Sequence, residues 1–376
     1  MSEVARELLE GLRALPLPET VRIMNVCGGH ERSITMAGLR GALPANIELI
    51  PGPGCPVCIC PEEDVYEAIQ IAVHEPVTLV AFGDMLRVPV NSPRGQPRSL
   101  EQAKAAGADI RPIASPMEAR QLALADPDRR IVFFAAGFET TTAPVAAMLA
   151  EGVPDNLLVL LSGRLTWPAV AMLLESAKPG FQALIAPGHV STVMGPEEWD
   201  FVATQHGMPA AIAGFRPDTL LAAMLTVVKQ YIDGKATLTN CYPEVVRPGG
   251  NPAARRHLAQ TMDVVDANWR GVGNIPASGF ALKESYAAHD ARRVLPDYAD
   301  DSRKRVGEMP PGCDCARVVL GQIYPNECRL YGAACTPHKP VGPCMVSDEG
   351  ACRIWWAGGV RDNVHTESSR RQAGGR

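Results

Sequence analysis

The chain has 376 residues, 46% of them apolar and 20% charged, with a formal net charge of −5. At a prior of roughly 150 residues per domain this length calls for two or three domains. The composition is that of a globular protein, and the acidic balance leaves no basic field to hold nucleic acid.

The opening MSEVARELLEGLRALP mixes charges with leucines at helical spacing, unlike the apolar core of a secretion signal. No later run approaches the ~18 apolar residues of a membrane span. The expectation is a soluble, cytoplasmic protein with no membrane partner. In that reducing compartment the eleven cysteines read as metal ligands or redox-active thiols.

Short apolar runs then read as buried strands, each closed by a turn signal. VRIMNV leads into CGGH, VTLVAF into GDMLRVP, RIVFFAA into GFETTT, NLLVLL into SGR, FQALIA into PGHVS, and PAAIA into GF. The runs are continuous, not alternating, and helical patterns over 140–151, 167–177 and 218–232 lie between them. That combination predicts parallel α/β sheets, whose ligands bind beyond the carboxyl ends of the strands. NSPRGQPRS, 91–99, reads as a loop, and RPGGNPAARR, 247–256, as a domain linker. From about 300 the pattern turns irregular, as where a bound cluster replaces a hydrophobic core. The closing GGVRDNVHTESSRRQAGGR is polar and predicted to be disordered.

In CGGH, Cys27 and His30 stand just past a strand, and two glycines leave the backbone free to bend both side chains toward one point. Thiolate with imidazole suits iron or zinc; the bland reading is a buried free cysteine beside a hydrogen-bonded histidine. In GPGCPVC, Cys55 and Cys58 have the CxxC spacing shared by metal knuckles and dithiol redox motifs. Pro61 and EEDVYEAIQIAV open a helix whose N-terminus helps stabilise a thiolate at Cys58. Cys60 is read as a bystander facing the other side. GFETTT offers helix-opening amides and threonine hydroxyls to an anion, or is simply a capped helix start with Glu139 in its first turn. PGHVS adds a strand-end histidine and serine. The chain has neither a P-loop nor a GxGxxG fingerprint. Near the end, Cys313, Cys315, Cys328, Cys335, Cys344 and Cys352 crowd into forty residues. An iron-sulfur cluster asks for four thiolates, as does structural zinc, and either leaves a pair free to form a reversible disulfide.

Taken together, CGGH, GPGCPVC, FGDMLRVP, GFETTT, PGHVS, VVRPGGN, WRGVGNIPASG and CTPHKPVGPCMVSDEGAC, in order from about residue 20 to 356, resemble the HypD family of hydrogenase maturation factors. The resemblance implies two parallel-sheet α/β domains plus an irregular C-terminal iron-sulfur region. The first domain would span 20–130 with CGGH and GPGCPVC, and the second 131–245 with GFETTT and PGHVS. Linker helices and a 4Fe-4S region would follow over 246–358, then a disordered tail over 359–376.

The implied function is a scaffold on which the iron centre of nickel-iron hydrogenase gains two cyanides and one carbon monoxide. Its partners would be a HypC-type chaperone, whose N-terminal cysteine helps hold the iron, and a HypE-type cyanide donor. Carried over by motif, Cys27 would be the ligand of the assembling iron and His30 its close support. Cys55 and Cys58 would be a redox-active pair able to lend a thiolate, with Asp84 as a polar neighbour. Cys313, Cys328, Cys335 and Cys352 match the family's cluster spacing of fourteen, six and sixteen intervening residues. Cys315 and Cys344 would then be the remaining redox pair, and Glu349 would belong to the cluster surroundings. The chain departs from its relatives at Arg32, where some carry a second histidine, and at Arg216, where GFRPD replaces an acidic pattern.

The chemistry agrees with such a scaffold. Iron bearing cyanide and carbon monoxide wants soft, exchangeable donors and an incomplete shell, and a cluster supplies electrons singly while dithiols collect them in pairs. The rival readings are a stand-alone iron-sulfur disulfide reductase and a structural zinc protein.

Overall fold

The computed structural model describes residues 2–17, 19–176, 179–303 and 309–365. Its strands, in chain order, are β1 (Val21–Cys27), β2 (Ile47–Gly54), β3 (Val77–Phe82), β4 (Ile110–Ile113), β5 (Arg130–Gly137), β6 (Leu157–Gly163), β7 (Ala183–Pro187), β8 (Ala210–Ala213), β9 (Leu238–Asn240), β10 (Met262–Trp269) and β11 (Gly273–Leu282). One sheet has the order β2-β1-β7-β8-β9 and a second the order β4-β3-β5-β6; every pairing in both is parallel. The architecture is therefore two parallel α/β sheets. All seven residues of β6 and all but the first of β5 are buried, which is why these runs lack alternation.

The sheets do not divide the chain at residue 130. The first takes β1 and β2, then β7 to β9, while the second takes only β3 to β6. The chain thus leaves the first sheet after β2 and returns after β6, a long-range choice that strand patterns do not carry. The helix Glu3–Arg13 closes the first sheet's core, setting Leu9 and Leu12 among Leu220, Leu221 and Met224 of the helix Pro217–Ile232.

Three expectations about the C-terminal third are corrected. The stretch 247–256 is clamped and not a free linker. At Gly250, with φ of +67°, an added Cβ would lie 2.5 Å from both Gly195 N and Val193 O, and Asn251 caps the helix Pro252–Thr261 by accepting from the Ala253 and Ala254 amides. The antiparallel hairpin β10–β11 follows where only helices were expected. The cysteine region is irregular but not coreless, because Cys315, Cys328, Cys335, Cys344 and Cys352 share a buried cluster with Tyr331, Met345, Trp269 and the sheet residues Leu79, Val132 and Leu160.

The tail is ordered at its start. Asn363 is 3% exposed and donates to the Arg329 and Tyr331 carbonyls, while the Tyr331 hydroxyl donates to Val360 O. The remainder of the expected disordered segment, 366–376, lies outside the described residues. Among the described residues no helix is long and apolar enough to cross a membrane.

Candidate thiol and metal site

Cys27 ends β1 and stands at the N-cap of the helix Gly28–Met36. Its neighbour in register on β2 is Gly54, so the following Cys55 is delivered beside it. A Cβ at Gly54 would fall 1.9 Å from Val26 O, and one at Gly52 would fall 3.0 Å from Val26 Cα. Only glycine lets the two backbones approach this closely. The glycines of CGGH serve the same end. A Cβ on Gly28 would meet Glu349 O at 2.4 Å, and one on Gly29 would meet the Phe215 ring at 2.8 Å. None of these four glycines has positive φ, so they act through close approach and not through the free bending expected from the sequence.

This packing gathers distant residues around one small cavity. Cys27, Cys55, Cys58, Cys344, Glu349 and Glu31 line a void of about 10 Å³, room for roughly one water. Cys55 and Cys58 are joined as a disulfide with Cα atoms 5.3 Å apart, and they are only 3% and 2% exposed. The half-buried Cys27 thiol is pushed up to about 12, first by loss of water and then by the Glu349 charge. It therefore holds its proton at neutral pH unless a metal displaces it.

Glu31, which the motif reading passed over, is 1% exposed. Its Oε1 accepts from Arg40 at 2.5 Å and from Trp355 Nε1 at 3.0 Å, while its buried Oε2 has no partner. Its setting depends on a tryptophan 324 residues away, which no local pattern encodes.

His30 is not placed as a metal ligand. The ring is fully buried, with Nδ1 3.2 Å from Asn25 Oδ1 and Nε2 3.0 Å from Ala213 O. Both nitrogens face protein oxygens, and burial lowers the pKa to about 3. A neutral ring in this setting donates from one nitrogen only, and the lone pair of the other is aimed at a protein oxygen between β1 and β8, not at the thiol cavity. Phe215 lies between it and His189, with ring centroids 4.7 and 3.9 Å away, so CGGH, PGHVS and GFRPD form one stack. In the altered segment Arg216 makes a two-pronged contact to Asp218 at 3.1 and 2.8 Å, so its charge is met locally. Arg32 is exposed, and its charge acts on Glu349.

Asp84 follows β3 and accepts from Ser347 Oγ at 2.8 Å; the same oxygen accepts from Glu349 N at 3.1 Å. These bonds pin the 347–349 loop across the sheets. Glu349 consequently belongs to the Cys27 cavity, and it also borders a larger cleft of about 670 Å³ lined by Asp84, Val57 and Thr141. Removal of water from its carboxyl, then the Asp84 charge, raises its pKa, and Arg32 opposes them. In GFETTT the bland reading gains ground. Glu139 is fully buried and accepts from both Thr166 N at 2.6 Å and Thr166 Oγ1 at 2.7 Å.

The six C-terminal thiols converge. All are free thiols, with Cys313 within hydrogen-bonding reach of Cys315, and Cys344 within reach of both Cys315 and Cys352. A Cβ on Gly342 would lie 2.4 and 2.5 Å from the Cys313 and Cys315 sulfurs. Backbone amides serve Cys335, from Val341 at 3.3 Å, and Cys328, from Asp314 and Leu330. Buried thiols with N–H donors suit thiolate ligands of iron, so the donor set fits a 4Fe-4S cluster, although among the described residues no three such side chains already stand in metal-ligating geometry. Cys315 and Cys344 are free thiols in mutual contact. Hydrogen bonds from Cys315 and Cys352 hold Cys344 below the usual thiol range. Since Cys344 also lines the Cys27 cavity, it connects the two thiol groups. Cys60 stands apart, 3.5 Å from Ser162 Oγ and pushed up to about 12 by burial.

Comparison with known proteins gives these strand ends a context. Residues 3–359 match the HypD family model, described as the hydrogenase formation hypA family. The chain is 41% identical to the hydrogenase maturation factor HypD of Rhodobacter capsulatus over 349 residues, covering 91% of this chain and 90% of that one. It is 39% identical to the HypD of Azotobacter vinelandii over 365 residues, 94% of each chain. With the HypD of Escherichia coli strain K12 it shares 38% over 368 residues, 94% and 95% of the two chains. Because the likeness runs the length of the fold and takes in every strand end that builds the thiol site, the chain belongs to the HypD family.

Proposed function

We propose that the chain is the scaffold on which the iron of nickel-iron hydrogenase receives cyanide and carbon monoxide, working in the cytoplasm with a HypC-type chaperone and a HypE-type cyanide donor. Its family supports a role in hydrogenase maturation. The observation that carries the reading is the single cavity shared by Cys27, the Cys55–Cys58 disulfide, Cys344 and Glu349.

Cys27 supplies a soft thiolate, and the partner's cysteine completes an open shell. Iron displaces the Cys27 proton, and Glu349, with its raised pKa, is the nearby acceptor. A void of about 10 Å³ holds no iron with three diatomic ligands, so loading moves the 347–349 loop away from Asp84 and opens the cavity to the adjoining cleft.

A 4Fe-4S cluster, when bound by Cys313, Cys328, Cys335 and Cys352, supplies electrons one at a time. The thiols then act by exchange. Cys344, as thiolate, attacks one sulfur of the Cys55–Cys58 disulfide; Cys315 resolves the mixed disulfide; the products are the Cys55/Cys58 dithiol and a Cys315–Cys344 disulfide. Two electrons and two protons pass from one pair to the other. Burial of the disulfide, at 3% and 2% exposure, argues against a free-standing reductase, whose substrate must reach that bond.

Anaerobic loading with ferrous iron in the presence of the chaperone tests the assignment. Cys27→Ala should lose one labile iron per chain and keep the cluster iron, while Cys60→Ala should keep both. Labile iron retained by Cys27→Ala would defeat it.

A further inference from the structure

The motif WRGVGNIPASG has no part in the site described so far. It forms the tip of the β10–β11 hairpin, and Arg270 at that tip is 2% exposed. Its amide donates to Ile59 O at 3.0 Å, one residue beyond the CxxC. The next residue, Gly271, has φ of +68°, and a Cβ there would lie 2.8 Å from Met309 Sδ and 2.9 Å from Ala316 Cβ. The hairpin tip is thus wedged between the CxxC turn and the start of the C-terminal cysteine segment.

The guanidinium is only partly used. Nη2 donates to Glu62 Oε2 at 2.8 Å and to Pro89 O at 2.7 Å, in an ion pair whose side chains are both 0% exposed. Nε and Nη1 are buried with no partner. Buried cationic donors are costly to leave unmet, so an acceptor belongs there in the working protein. The charge lies within electrostatic reach of Cys313 and Cys60. Cys60 already contacts Ser162 Oγ; the Cys313 side is where a cluster would bring sulfur acceptors.

We infer that Arg270 is the cationic partner of the iron-sulfur cluster, turning its two spare nitrogens to cluster sulfur on the Cys313 side and favouring the reduced state. The inference rests on the reading that the C-terminal cysteines hold a cluster. Reduction adds one electron from an external one-electron donor, makes and breaks no bond, and leaves the cluster one charge more negative. A fixed buried cation stabilises that product.

The test is a dithionite titration of the reconstituted full chain, followed by electron paramagnetic resonance, with iron and sulfide counted in each protein. At a fixed poise Arg270→Gln should lower the reduced-to-oxidised ratio at least tenfold, a 59 mV fall for a one-electron couple. Arg270→Lys should stay nearer the wild type. If Arg270→Gln does not fold, the double variant Glu62→Gln/Arg270→Gln, which buries no unpaired charge, is titrated and should show the same direction. Equal potentials with full clusters in all proteins would overturn the role of Arg270 alone. A wild-type chain that takes up no iron and sulfide would overturn the cluster reading, and this inference with it.

Discussion

Replacing Gly28 by alanine puts the loop closure to a direct test. The new methyl carbon would sit 2.4 Å from Glu349 O and 2.8 Å from Glu349 Cβ. Ordinary contact needs about 3.5 Å, so the loop or the first helical turn must move by roughly 1 Å. The obstacle is backbone, held by the Ser347 bonds to Asp84 and Glu349 N, and cannot rotate aside as a side-chain end could. Overpacking of this kind costs about 1–3 kcal/mol. Alanine recovers at most about 1 kcal/mol from reduced chain entropy, because Gly28 has ordinary negative-φ backbone. The net expectation is a loss of about 1–2 kcal/mol in urea unfolding, with faster alkylation of Cys27 in the folded protein as the Glu349 segment is displaced. Unchanged stability together with an unchanged Cys27 alkylation rate would refute the argument that Gly28 seats the loop over the thiol.

Other consequences follow from the same geometry. Glu139 is buried and raised to about 7, by loss of water against the opposing Thr166 bonds. Its folded form therefore keeps a proton that the unfolded chain releases. That stabilisation is present below pH 4.5 and fades as pH climbs toward 7, amounting to about 3 kcal/mol for one group. Glu139→Gln should flatten the decline in urea midpoint between pH 5 and 7.5, and an identical slope would show that the carboxyl titrates normally. For the thiol relay, when the cluster-loaded protein is given one-electron reductant and its thiols are mass-tagged, Cys344→Ala should leave the Cys55–Cys58 disulfide intact and Cys315→Ala should stall at the mixed disulfide of Cys344, neither variant reaching the Cys55/Cys58 dithiol. Reduction at the wild-type rate in both variants would remove the relay.

Much of the layout was legible in local residue patterns. VRIMNV, RIVFFAA and NLLVLL announce strands because parallel sheets bury both faces, and the motifs fall at strand ends because that is where such sheets expose backbone. β2 was hidden by its own content. IELIPGPG carries two prolines that read as a turn, and the strand tolerates them because it lies at the edge of its sheet. The hairpin was missed because β10 is half exposed and mixes charges with apolar residues.

At the site, Cys27, Cys55 and Cys58 were readable from spacing, whereas the place of Glu349 was not, since it depends on a loop more than 300 residues away packing onto Gly28. His30 was misread for a related reason. A strand-end histidine looks like a ligand until both nitrogens are traced to Asn25 and Ala213. The unmet oxygen of Glu31 and the unmet nitrogens of Arg270 likewise come into view only with the tertiary contacts.

Infrared spectroscopy of the chain purified anaerobically with its small chaperone bears most directly on the scaffold. The account predicts cyanide and carbon monoxide stretching bands on the complex that vanish in Cys27→Ala and persist in Cys60→Ala. Iron bound to the wild-type complex with no such bands, or bands undiminished in Cys27→Ala, would contradict it.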